Sequence, residues 1–270
     1  MNLLLVEMRR ALRRRAIRVL IGVGLMGCMI AGVVTWFGSS GKTLLQLRAD
    51  QEGSPAIITD WWMTDGNEGF LVVAVFFLLL GAFFAGSTYA GGEWRAGTVT
   101  TQLTWEPRRL RLHSARTASA AILGFTISLG LQVVFLASFL PSVWAHGTTA
   151  GADAAFWVDL VVAMMRFSAL AAAAAVIAVA VATAARNTAF AVISAFAWMA
   201  VIEPMIRALK PSLGRWLWAE NVGTVISLGQ IPDSDFTRGP LAALAVLLIY
   251  GAAIATVSAV SFHRRDLAAC

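Results

Sequence analysis

The chain has 270 residues, 59% of them hydrophobic and 13% charged, with a formal net charge of +6. That composition lies well outside soluble averages, and the basic excess sits beside apolar runs, which argues against nucleic acid as its reason. The two cysteines, Cys28 and Cys270, leave no disulfide framework and no Cys/His metal cluster to build.

Segments free of Asp, Glu, Lys and Arg occur at 19–41, 69–92, 117–152, 167–185, 187–202 and 239–263. A bilayer-spanning helix needs about 20 mostly apolar residues. These runs therefore predict an all-α membrane protein: one transmembrane domain over 1–270, with spans near 19–38, 69–90, 117–140, 160–184, 188–206 and 239–262.

Residues 3–18 read as an amphipathic helix that precedes the first span. Leu4, Met8, Leu12 and Ala16 recur at i+4 spacing with Leu5 beside them, and Glu7, Arg10, Arg14 and Arg18 line the other face. Such a helix is expected to lie in the headgroup plane, apolar side down, with Arg9, Arg10, Arg13 and Arg14 toward anionic lipid. The competing reading is the charged start of a signal peptide, since Leu25-Met26-Gly27-Cys28 resembles a lipobox, but the apolar run continues well past Cys28. Gly24, Cys28 and Gly32 form a small-residue ridge suited to helix contact; ordinary glycine usage in a span explains it equally well. Trp36 to Thr43 imitates a phosphate-binding loop but lacks the first glycine and the preceding strand, so no nucleotide site is read there.

Residues 39–68 form a polar, mostly acidic connection with Trp61 and Trp62 as expected interfacial anchors. The second span carries Phe76, Phe77, Phe83 and Phe84; with Phe196 and Trp198 of the fifth span they are candidate pathway residues, lipid-facing or packing surface being the competing reading. A basic connection, 91–116, follows. Thr104 is an expected cap and Pro107 an expected first-turn residue, so the third helix should start near 107 and end before Pro141. The fourth span, nearly all alanine and valine after Leu170, has too little bulk to face lipid all round and should pack centrally. Glu203 closes the fifth span, with Arg207 its expected partner, and 207–238 should form short interfacial helices.

With both termini inside, Arg9, Arg10, Arg13, Arg14, Arg15, Arg18, Arg95, Arg108, Arg109, Arg111, Arg116, Arg186, Arg264 and Arg265 are cytoplasmic. Asp50, Glu52, Asp60, Asp65, Glu68, Asp153, Asp159, Glu220, Asp233 and Asp235 are then outside, with Lys42, Arg48, Lys210, Arg215 and Arg238, and the arginine excess on the inner side is what the positive-inside rule expects. His113, His146 and His263 fall at separate places and share no site. No nucleophile–base pair, metal motif or Walker pair is present, so the chain is not expected to be an enzyme.

At the basic connection a family pattern emerges. Glu93-Trp94-Arg95-Ala96-Gly97-Thr98, then Leu103-Thr104-Trp105-Glu106-Pro107, then Arg116, resembles the E-x-x-x-G-T, L-T-x-x-P and R pattern of type-2 ABC exporter permeases. The resemblance implies that 97–103 is a coupling helix: Gly97, Thr98, Val99, Thr100, Thr101, Gln102 and Leu103, flanked by Glu93, Arg95, Arg108 and Arg109. It further implies that residues 1–18 are the family's elbow helix, and that two such chains form a homodimer or heterodimer with the pathway between them. Two copies of a separate cytosolic ATPase would bind the ATP and magnesium, with no cofactor in this chain. The implied setting is a bacterial inner membrane, with lipids and an amphipathic or hydrophobic substrate such as a drug, lipid or peptide. The alternative is a non-transporting structural or regulatory subunit of a membrane complex. Glu93 is expected to pair with the elbow arginines, and its reversal to uncouple the loop without unfolding the chain.

Overall fold

The computed structural model describes residues 3–49, 53–62, 69–227 and 238–264. Asp50, Glu52, Asp65, Glu68, Pro232, Asp233, Asp235, Arg265 and Cys270 lie outside the described residues. Among the described residues the chain is helical, with no strand; one isolated parallel bridge joins Ile57 to Thr148. Six helices are long and apolar enough to cross a membrane, which fits a multi-pass membrane protein.

The elements in chain order are α1 (Leu3–Arg13), α2 (Arg15–Ser39), α3 (Leu44–Arg48), α4 (Phe70–Arg95) and α5 (Thr98–Trp105). They continue with α6 (Arg109–His146), α7 (Ala154–Ala185), α8 (Thr188–Ala197), α9 (Glu203–Leu209), α10 (Trp218–Ile226) and α11 (Pro240–Arg264). A π-helical turn, Trp198–Ile202, runs α8 into α9, so the fifth span is one continuous helix. The boundaries differ from expectation at several points; α7 starts at Ala154 rather than near 160, and α4 runs on to Arg95 rather than ending near 90. The span-one helix starts at Arg15, directly after the break at Arg14. Helix α6 runs through Pro141 to His146: the proline removes its own backbone donor and crowds the carbonyl one turn back, a local loss that membrane helices tolerate. Thr104 lies inside α5 rather than capping a helix, and α6 begins at Arg109.

Helix α7 is the centre, as its low-bulk sequence predicts: 61% of its apolar window is buried, against 11–28% for the other five. It touches α4, α6, α8, α10 and α11. Small residues set these contacts. A Cβ on Gly86 of α4 would collide with Ala175 and Ala178 of α7, and one on Gly32 of α2 would lie 2.6 Å from the Ser138 carbonyl of α6. These are the close backbone approaches that small residues permit within a bilayer.

The end opposite α1 is closed by 53–62. Trp61 and Trp62 are buried among Leu71, Phe139, Val143, Met164 and Phe167, so they plug the bundle end instead of anchoring at an interface. The Trp61 indole donates to the Pro55 carbonyl at 2.8 Å, which meets its polar need without water. Glu203 is also buried, and its partner is not Arg207. Its carboxylate accepts from the Trp218 and Ala219 backbone N–H groups at 2.6 and 2.9 Å, capping α10, and from the Trp198 indole at 2.8 Å. Arg207 instead pairs with Glu220 at 2.5 Å.

Candidate functional site

At the arginine-rich end, four helices meet around a buried cluster of charge. Helix α4 contributes Tyr89 and Glu93, four residues apart and so stacked on one face. Helix α1 contributes Glu7 and Arg10, three residues apart on one face, and Arg14 stands in the break between α1 and α2. Helix α6 contributes Arg116, and α5 contributes Gln102.

Glu93 is 1% exposed and Arg116 2%. One Glu93 oxygen takes the Arg10 guanidinium at 3.1 Å and that of Arg14 at 2.5 Å; the other takes Arg116. Arg116 also donates to the Gln102 side-chain carbonyl, and its Nε lies 4.0 Å from Glu7. Glu7 accepts from Arg10 at 2.8 Å and from the Tyr89 hydroxyl. Arg14 spreads over the Tyr89 ring, 5.0 Å from its centroid, and donates to the Thr88 carbonyl at 3.2 Å. Two buried carboxylates thus serve three guanidiniums, of which Arg116 is buried and Arg10 and Arg14 are partly exposed. Desolvating Glu7, Glu93 and Arg116 is costly, and the bridging, charge-assisted hydrogen bonds offset that cost.

Two adjacent glycines let this cluster assemble. A Cβ on Gly91 would sit 2.6 Å from the Thr188 backbone nitrogen at the start of α8, and one on Gly92 would lie 3.2 Å from the Arg14 guanidinium. Gly97 then turns the chain out of α4. Its φ of +64° is left-handed, where an L side chain is strained, and it forms the N-terminal boundary of α5. A ring of aromatic contacts closes the same end: Arg186 lies over Trp94 at 4.8 Å, while Phe262 of α11 meets Trp94 edge-on and stacks on His113.

Several expected site residues have a different setting. Glu93 belongs to the last turns of α4 and is core, not loop. Arg10 and Arg14 turn inward to it, and Arg9 and Arg13 remain exposed, so the face of α1 bearing Glu7 is the packed one. Val99 is buried, Gln102 and Leu103 are half-buried, and Arg95, Gly97, Thr98 and Thr101 are exposed, with Thr100 on the same helix. The Thr98 hydroxyl donates to the Glu93 carbonyl at 3.4 Å. Arg108 is exposed, and Arg109 donates to the His263 carbonyl at 3.2 Å. Sequence reasoning missed Glu7, Tyr89 and Arg116 as core members. Glu7 did carry a signal: it is the lone carboxylate within the arginine-rich 1–18.

The candidate pathway aromatics do not form one group. Phe77 and Phe84 line a groove between α2, α4 and α6, whereas Phe76, Phe83, Phe196 and Trp198 are outside its lining. Phe76, Phe77, Phe84, Phe196 and Trp198 are exposed on the bundle surface and Phe83 is half-buried. No family model matches the chain, and no curated protein matches its sequence.

Proposed function

We propose that the chain is the membrane-spanning subunit of an ATP-driven exporter, with α5 as the contact for a separate cytosolic ATPase. The observation that carries this reading is the Glu7–Arg10–Arg14–Glu93–Arg116 cluster joining α1, α4 and α6, to which α5 is tied by Gln102 on Arg116 and by the Thr98 hydroxyl on the Glu93 carbonyl. A push on a short helix moves a bundle only if that helix is rigidly tied to more than one span, and this cluster supplies such ties. The outward residues of α5, Thr98 and Thr101, are left available to a partner. Helix α1 is the elbow in this reading, with exposed Arg9 and Arg13 toward anionic headgroups and both termini cytoplasmic. ATP and magnesium belong to the ATPase, present in two copies. A second permease chain completes a dimer in a bacterial inner membrane. Within the connection read as 207–238, the described helix α10 (Trp218–Ile226) lies at the interface on the far side, and the substrate is amphipathic or hydrophobic.

The test is affinity purification of the tagged full chain from detergent-solubilised membranes of its own host. The expected result is a soluble ATPase in stoichiometric amount, lost when Thr101→Arg places a bulky cation on α5 and retained when Thr149→Arg alters the opposite end. Absence of an ATPase from the wild-type preparation, or equal recovery with both variants, rejects the reading.

A further inference from the structure

The tight turn that joins α9 to α10, Pro211–Trp216, lies against α11 at the end of the bundle opposite the charge cluster. Tyr250 is ten residues, about 15 Å, along α11 from Pro240, and its hydroxyl donates to the Trp216 carbonyl at 2.8 Å. A tyrosine side chain is too short to cover that distance, so Trp216 lies within the length of α11 and not beyond its start. Residues three apart eclipse in so tight a turn, so Leu213 and Trp216, 42% and 49% exposed, share one outward face.

Two arginines converge on that face. The guanidinium of Arg215 lies 5.8 Å from the Trp216 ring centroid, and that of Arg238, just before α11 begins, lies 5.1 Å from it. One buried amide sets both. Asn221 of α10, 1% exposed, takes Arg238 on its oxygen at 3.1 Å and donates its nitrogen to the Arg215 and Leu217 carbonyls at 3.1 and 2.6 Å. Arg215 is exposed and Arg238 half-buried. Among the described residues neither guanidinium has a carboxylate partner, whereas Arg207 on α9 pairs with Glu220. An arginine stays charged at the edge of a bilayer, and a counter-charge there is favourable.

We propose that Arg215 and Arg238 bind the phosphate of an anionic phospholipid from the surrounding leaflet, with Leu213 and the exposed edge of Trp216 against the upper part of its acyl chains. The planar guanidinium fork matches phosphate oxygens. A free phosphate would satisfy the arginines equally but leave the apolar face bare, and that face at span depth is what favours the lipid. The site lies within one chain and needs only that its helices cross a bilayer, so it stands apart from the exporter reading.

The test uses the full chain in nanodiscs containing a phosphatidylglycerol with a diazirine beside its head group, compared with the same probe built on phosphatidylcholine. Photolabelled residues are mapped by mass spectrometry, and labelling of α1, at the other end of the bundle, is the internal reference between variants. Each arginine is expected to be worth about 5-fold. Arg215→Gln should therefore lower phosphatidylglycerol labelling of 211–226 about 5-fold, and Arg215→Gln with Arg238→Gln should bring it to the level of the phosphatidylcholine probe. The Arg215 side chain has no hydrogen-bond partner among the described residues, so Arg215→Gln folds even where the loss of Arg238 frees Asn221. Arg207→Gln removes one charge from the same connection, but one that Glu220 already neutralises, and should leave labelling unchanged. Equal labelling of wild type by the two probes overturns the proposal. Equal losses with Arg207→Gln and Arg215→Gln also overturn it, since net charge alone would then attract the lipid. Displacement of the probe by inorganic phosphate as readily as by unlabelled phosphatidylglycerol assigns the arginines to a free anion and overturns it too.

Discussion

Removing Glu93 leaves Arg10, Arg14 and Arg116 around a single carboxylate, Glu7, whereas removing Arg116 leaves two carboxylates for two guanidiniums. The two losses should therefore differ. Glu93→Leu strands buried positive charge and is expected to cost about 3–5 kcal/mol. Arg116→Met removes charged hydrogen bonds but restores balance, and about 1.5–3 kcal/mol is expected. Thermal unfolding in mild detergent orders the variants; equal losses would mean the cluster's charge balance is irrelevant. Glu93→Lys should yield no folded protein, which corrects the expectation of a merely uncoupled loop, because Glu93 is core. Gly97 is the loop position that uncoupling variants can use. At φ +64°, Gly97→Val should destabilise by about 1–3 kcal/mol, while Gly97→Asn, which tolerates left-handed backbone, should lose much less. Equal unfolding temperatures for the two would remove the backbone argument.

At the scale of elements, α10 hangs on Glu203. Its carboxylate caps two backbone donors and takes the Trp198 indole, so Glu203→Ala should free the start of α10. Hydrogen exchange should accelerate across 218–226 and stay unchanged in α1 and α5. Arg207→Ala removes a pair that is 55% exposed on the arginine side, worth at most about 1 kcal/mol, and should leave that exchange nearly unaltered. A large effect of Arg207→Ala would mean that the Arg207–Glu220 pair, rather than the Glu203 cap, holds α10. The Glu203–Arg207 pairing was natural from i+4 spacing, but a cap formed 15 residues downstream is a tertiary contact with no local signature. The same limit governs α1. Its two-faced pattern is plain in Leu4, Met8 and Glu7, Arg10, Arg14, yet amphipathicity does not say which face meets the protein. Lipid and protein both accept apolar residues, and only a counter-charge decides for the polar face. Glu93 is that counter-charge, and it lies 79 residues from Arg14 in the chain. Pro141 misled for a different reason: a proline costs a helix one donor and crowds one carbonyl, and a membrane helix can absorb that, so a proline within an apolar run does not mark its end.

For the whole molecule, the six spans were legible because exclusion of charge over about 20 residues is a requirement of the bilayer and leaves its mark in every run. The central place of α7 was legible from its alanines. The groove between α2, α4 and α6 was not, because it depends on two glycine-bearing helices leaning on different neighbours, α2 on α6 and α4 on α7. The sidedness proposed from the arginine asymmetry has a direct check. In a Cys270→Ser background, a cysteine at exposed Thr149 should react with an impermeant maleimide in intact cells, and one at exposed Thr101 should react only after lysis. Ser54, 6% exposed, is buried and should stay unreactive on either side. Reaction of Thr101→Cys in intact cells would invert the molecule and place α5 beyond reach of a cytosolic ATPase.

The claim that joins these scales is that α5 receives the work of ATP hydrolysis and the charge cluster carries it into the spans. The measurement that tests it most directly is ATP hydrolysis by the purified ATPase reconstituted with the full chain in nanodiscs, comparing wild type, Thr101→Arg and Thr149→Arg. All three should unfold at the same temperature, since both sites are exposed. The account predicts that wild type and Thr149→Arg stimulate hydrolysis equally and that Thr101→Arg loses the stimulation. Stimulation by Thr101→Arg equal to wild type would contradict it.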